Sequence, residues 1–251
     1  MGFISFILMQ LLAAYTVLVE PILRTNFYRM LKKQLNLEAG ARVLYYRTQV
    51  LWEWSWVVVL VLIATSIANP LQWLGLTLPN QFGWIILAAL LLGVGLSTYL
   101  LRRNPGAMSA MQRSLEASSI LLPSTSAERK WYAAAAITAG ICEELLYRGF
   151  LIRYLHVTFP GLDFLIISII SGVIYGLSRS YQGLKGIGQT ALMGFSFAII
   201  YFLSGNLLSI IAGNQVSDVT GSLLPVMVFH ALAELRTLFL WQPEVQGKKK
   251  K

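Results

Sequence analysis

Cysteine occurs once, at Cys142, and charged residues make up only 12% of the 251 positions. The single cysteine excludes an internal disulfide and any cysteine-based zinc cluster; among small and apolar neighbours it reads as a packing residue. No stretch alternates with the two-residue period of a strand, no segment repeats, and the one low-complexity tract is Lys248–Lys251. What is abundant is apolar side chain: 56% of the chain, with a mean hydropathy of +0.64. That composition excludes an ordinary soluble domain and indicates a membrane protein.

Apolar runs of the length that crosses a bilayer fall at roughly 3–19, 50–68, 82–101, 131–155, 162–178, 187–204 and 222–241. They predict an all-α, polytopic membrane bundle of about seven helices, or eight if 205–213 also enters the membrane. The formal net charge of +9 raises nucleic acid as a partner only until its placement is examined. Seventeen of the twenty Lys and Arg residues fall in 20–49, 102–130, 178–186 and 242–251, and none in 69–81, 156–161 or 205–221. The positive-inside rule reads this as an N-out, C-in topology, with the basic charge facing anionic headgroups and no nucleic-acid partner. The first span has no cation before Arg24 and ends in Val19-Glu20-Pro21, so a retained helix is expected rather than a signal peptide. Residues 20–49 are expected to lie as an amphipathic helix in the interface, with Tyr28, Leu31, Leu35 and Leu37 toward lipid. The seven tryptophans near span ends suggest an interfacial belt. The break at Pro123 and Ser124-Thr125-Ser126 divides the chain into an accessory transmembrane region, 1–125, a core, 126–242, and a basic tail, 243–251. Ser124 or Ser126 is the expected cap of the next helix.

The remaining cations lie inside predicted spans. Ionisable residues near the bilayer centre cost about 2.5–3.5 kcal/mol each on insertion scales, so their presence calls for a role. The fourth span carries Glu143, Glu144, Arg148 and Arg153, and the seventh His230, Glu234 and Arg236. Glu144 and Arg148 are four apart and share a helix face, where they can pair, while Glu143 points about 100° away toward another partner. His230 and Glu234 share a face by the same spacing, at a depth similar to that of Glu143. Such charges serve helix register, conduction or catalysis.

Glu143-Glu144-x-x-x-Arg148, then Tyr175-Gly176-Leu177-Ser178-Arg179, then His230-Ala231-Leu232-Ala233-Glu234 resembles the three-motif pattern of the CPBP family, the CAAX prenyl endopeptidase and bacteriocin-processing (Abi) intramembrane metalloproteases, over about 128–240. The resemblance implies a conical helical core in a bacterial plasma membrane, with a cytoplasmic C-terminus, and endopeptidase action on membrane-associated polypeptides. It also implies Glu143 as general base, Glu144 and Arg148 as its supporting pair, and His230 as a metal ligand or oxyanion donor. Two positions depart from the pattern: Arg179 stands where the family has histidine, and Glu234 where it has Asn or Asp. Arginine neither binds zinc nor acts as a base, and His156, thirteen residues after Glu143, reads as an interfacial residue. Two outcomes stay open. In one, Arg179 and Glu234 pair across the pocket, giving a catalytically inactive scaffold, immunity or chaperone-like protein. Alternatively Glu143, His230 and Glu234 form an oxygen-rich zinc site with an open fourth position, giving a hydrolase.

Overall fold

The computed structural model describes residues 3–35, 37–38, 40–116, 119–212, 219 and 221–242. The basic tail 243–251 lies outside the described residues. Among those described there is no strand, and each of the seven apolar runs has most of its length in a helix. We number these α1 (Phe3–Gln34), α2 (Ala41–Ala64), the short α3 (Pro70–Trp73), α4 (Gln81–Arg103), α5 (Pro105–Glu116), α6 (126–158), α7 (Phe164–Ser178), α8 (Gly183–Ile211) and α9 (Leu224–Leu240). Four described helices, α1, α2, α4 and the one containing 180–207, are long and apolar enough to cross a membrane; α7 is shorter but apolar. The runs in α6 and α9 are interrupted by the charges that build the site. Residues 205–211 continue α8 instead of forming a separate dip.

Helix α6 is the centre of the molecule. Thr125, not Ser124 or Ser126, caps it: the Thr125 side chain accepts from the Glu128 amide at 3.2 Å and Glu128 Oε2 accepts from the Thr125 amide. This reciprocal pair satisfies donors that the first turn would otherwise leave open. Residues 142–152 are all buried, as expected of a helix enclosed on every side. Within them Leu145–Leu151 widens to a π-helix, a distortion that is common at functional sites. α2 and α9 pack on α6, α8 on α7, and α4 against α8 and α9. α4 buries only Gly83 and Leu87 and leaves Ile85, Leu92, Leu96 and Leu100 exposed, the apolar exterior that a lipid-facing helix presents.

Residues 20–34 differ from expectation. They do not lie apart in the interface but continue α1 without a break. Pro21 was a reason to end the helix, since it lacks an N–H and its ring crowds the carbonyl four residues back. Here the π turn Tyr15–Val19 precedes it and supplies the altered spacing in which a proline is accommodated. Leu31 is buried and Tyr28 stacks on Tyr181 instead of on lipid; Leu37 is exposed. The tryptophan belt is also only partial. Trp54 and Trp84 are exposed, but Trp52 and Trp56 pack on Tyr15, and the Trp241 indole donates inward to Pro123 O at 3.0 Å.

Close helix approach depends on two glycines. A Cβ at Gly176 would lie 2.6 Å from Ile187 O and 2.7 Å from Ala191 Cβ, and one at Gly140 would lie 2.7 Å from Ala231 Cβ. The first contact sets α7 against α8, the second α6 against α9, in the way small residues bring membrane helices together. Gly176→Leu is therefore expected to lower stability by about 1–3 kcal/mol or more through overpacking, read as a drop in the thermal transition of the detergent-solubilised protein. Gly188→Leu, a site with nothing within 4 Å of the added atom, should leave that transition nearly unchanged.

Candidate functional site

Four structural elements bring charge to the buried middle of α6. Glu143 is 2% exposed and Glu144 fully buried, and the two carboxylates serve different neighbours, as their 100° separation requires. Glu144 Oε1 accepts from Arg148 Nη1 at 3.0 Å and lies 2.7 Å from His230 Nδ1 on α9. Arg148 is itself fully buried; its Nη2 donates to Gly194 O at 2.9 Å, and its guanidinium lies over the rings of Tyr175 and Phe197 at 4.7 and 5.1 Å. An arginine so deep is tolerated because a carboxylate, a carbonyl and aromatic faces replace water. The brace expected between Glu144 and Arg148 is present. His230 Nε2, Glu144 Oε2 and Arg148 Nε have no hydrogen-bond partner among the described residues.

Glu143 faces the other way, toward α7, α1 and α2. Arg179 Nη2 lies 2.7 Å from Glu143 Oε1 and 3.0 Å from Oε2, and Tyr175 Oη donates to Oε2 at 2.7 Å. Arg24 Nη2, from α1, lies 2.9 Å from Oε1. Arg24 Nε also donates to Glu20 Oε1 at 2.8 Å, and Glu53 Oε1 on α2 stands 3.5 Å from its Nη2. Glu20 and Glu53 are 2% and 3% exposed. Glu53 is thus an interior acid and not an interfacial one, and Gln49 Nε2 donates to it at 3.0 Å.

The structure corrects two expectations. Arg179 does not pair with Glu234; it pairs with Glu143, while Glu234 accepts from Tyr132 Oη at 3.3 Å. Nor do Glu143, His230 and Glu234 converge as a ligand set: among the described residues no three His, Cys, Asp or Glu side chains are grouped to hold a metal ion. The donor set does not fit the zinc that the resemblance implies: Glu143 is engaged by two guanidinium groups, Glu234 does not converge with it, and His230 Nε2 alone is left as a ligand atom. Cys142, next to Glu143, is buried and forms no disulfide. Arg24, Glu20 and Glu53 are site residues that reading the sequence missed. Their signal was there as Glu20-x-x-x-Arg24, an i, i+4 pair directly after an apolar run.

A cavity of about 190 Å³ adjoins the Arg179 side of the site, lined by Tyr46, Tyr132, Arg179, Tyr181 and Glu234 over a floor of Ala135, Ala136 and Ala139. Both divergent motif positions therefore line one cavity of mixed polar and apolar character without touching each other through an ion pair.

The fold and site define a helical membrane protein with a buried carboxylate, histidine and arginine cluster carried on a central helix. Residues 126–218 match the family described as Type II CAAX prenyl endopeptidase Rce1-like, so that segment is similar to the CAAX-type endopeptidases. The match begins at the capped start of α6 and includes Glu143, Glu144, Arg148 and Arg179; His230 and Glu234 lie beyond it. No curated protein and no solved structure matches the chain.

Removing one partner of a buried pair strands a charge and costs about 3–5 kcal/mol. Arg148→Met alone is accordingly expected to abolish or sharply lower the cooperative thermal transition of the purified protein. Arg148→Met combined with Glu144→Gln should recover part of that loss, since neither charge is then left alone.

Proposed function

We propose that this protein is a non-hydrolytic member of the CAAX-type endopeptidase family, a membrane-embedded receptor for membrane-associated polypeptides. The observation that carries this reading is the Arg179–Glu143 contact, with Nη2 at 2.7 and 3.0 Å from the two carboxylate oxygens. A general base must offer a lone pair to a water within hydrogen-bond reach. A carboxylate has about four acceptor positions; Glu143 accepts three hydrogen bonds, two from Arg179 and one from Tyr175, and the Arg24 guanidinium lies in ion contact against Oε1. Arginine at 179 also removes the acceptor nitrogen that histidine would bring there. What remains is a cavity of mixed polar and apolar lining beside a charged pair. The distribution of Lys and Arg supports an N-out, C-in orientation.

One observation favours the endopeptidase reading instead. His230 is held through Nδ1 by Glu144, and its Nε2 has no partner among the described residues, the orientation of an imidazole ready to exchange a proton or donate to an oxyanion. On that reading substrates are membrane-associated polypeptides that are prenylated, leader-bearing or transmembrane.

Cleavage of a prenylated reporter peptide by the purified, lipid-reconstituted chain separates the two. No cleavage is expected from the wild type or from Glu143→Ala, while Arg179→His with Glu234→Asn is expected to gain it. Cleavage by the wild type that is lost in Glu143→Ala would overturn the non-hydrolytic reading.

A further inference from the structure

We propose that Arg24 is a positioning residue for Glu143, which makes α1, outside the 126–218 family match, part of the site. The proposal rests on the reading of Glu143 as a carboxylate held by guanidinium groups.

Two residues four apart on α1 meet two residues four apart on α6. Arg24 reaches Glu143 at 2.9 Å, and Glu20 Oε2 accepts from Tyr147 Oη at 2.7 Å. The lower-numbered residue of α1 meets the higher-numbered residue of α6, so the two helices run antiparallel and share consecutive rungs of one polar ladder. Glu20 then turns Arg24 toward α6 through the 2.8 Å bond to its Nε. The orientation of this guanidinium is fixed at both ends, by Glu20 and by Glu143.

The same helix fixes the other arginine's turn. Thr25 Oγ1 and Ser180 Oγ are 2.9 Å apart, and the Tyr28 and Tyr181 rings stack at 4.9 Å. Ser180 and Tyr181 directly follow Arg179, so α1 grips the short 3₁₀ turn Ser180–Gln182 that aims the second guanidinium at Glu143.

Packing alone does not account for a second arginine here. Arg179 and Tyr175 already give both Glu143 oxygens a donor, and two like-charged guanidinium groups on one oxygen repel. Glu20 and Glu53 offset that repulsion. The chain thus buries two further acids where they seat a cation on Oε1. Arg24 also lines a mostly apolar cavity of about 120 Å³ with Phe27, Leu31, Leu44, Trp52 and Glu53. It stands between that space and Glu143, covering the carboxylate on the side where an apolar molecule would approach.

Dicyclohexylcarbodiimide, an apolar reagent that modifies accessible carboxyl groups, tests this independently of proteolysis. The purified full chain is treated in detergent and labelling at Glu143 is quantified by peptide mass spectrometry. Arg24→Leu is expected to raise Glu143 labelling by about tenfold or more, the scale of a lost buried ion contact. Arg24→Lys should give a smaller rise, because an ammonium is a point charge and lacks the fork that joins Glu20 to Glu143. Tyr147→Phe, which releases Glu20 and leaves the charge of Arg24 in place, should also give an intermediate rise. If Arg24→Leu does not fold, the Lys and Phe variants decide the matter. Arg179→Leu is the reference. A rise there, with wild-type labelling in every monodisperse Arg24 and Tyr147 variant, overturns the role of Arg24 and leaves the Arg179–Glu143 reading standing. No rise in Arg179→Leu overturns both.

Discussion

The structure depends on neutralising carboxylates that have no water. Moving a single ion into a low-dielectric interior costs several kcal/mol even after relaxation, and here Glu20, Glu53, Glu143 and Glu144 are all 3% exposed or less. Each must meet a cation or a hydrogen-bond donor within about 3 Å, and side chains of finite length can do this only if their backbones approach closely. The requirement draws α1, α2, the turn after α7 and α9 to one level of α6. The tight contacts at Gly140 and Gly176 serve that geometry. Gly140 sets α9 near enough for His230 to reach Glu144, and Gly176 sets the helix from which Tyr175 and Arg179 reach Glu143.

Two π segments occur on the two helices that carry the polar ladder, Tyr15–Val19 on α1 and Leu145–Leu151 on α6. A π turn takes in an extra residue and rotates everything after it relative to a regular helix. On α1 the rotated residues are Glu20 and Arg24, which would otherwise continue the apolar face pattern of residues 3–14. On α6 the widened turns allow Tyr147, Arg148, Gly149 and Phe150 all to be buried in succession. The local distortion and the inward charges are therefore linked: the backbone irregularity is what lets a polar face follow an apolar one in the same continuous helix.

Much of this was legible in the residues. The apolar runs gave the helices, and the i, i+4 spacing gave the Glu144–Arg148 brace and the separate direction of Glu143. Spacing along one helix is local geometry, so it carries over directly into the fold. Pairing between helices is different, because charge balance says that Arg179 needs an acid but not which one. Glu143 and Glu234 were both available, and the seating of α7 on α8, set by close contacts at Gly176 and Gly172, left Arg179 within reach of Glu143. Arg24 escaped notice because Pro21 suggests a helix end and a basic, mixed segment reads as a surface element. Only the continuation through the π turn shows that it is interior.

An intact first motif does not by itself report on hydrolysis. Glu144, Arg148 and His230 form a self-contained group in which each charge has a partner, and it would hold the helices together whether or not water is activated nearby. The chemistry turns on the group around Glu143. Histidine and arginine both donate hydrogen bonds, but a neutral imidazole also accepts one and can share a water with a carboxylate, whereas a guanidinium only donates and remains charged. With arginine at 179 the strongest partner available to Glu143 is the guanidinium itself, and the low dielectric that would strengthen a carboxylate–water contact strengthens the ion pair more. The same burial that makes the motif costly to carry thus favours its use as a binding and positioning element over its use as a base.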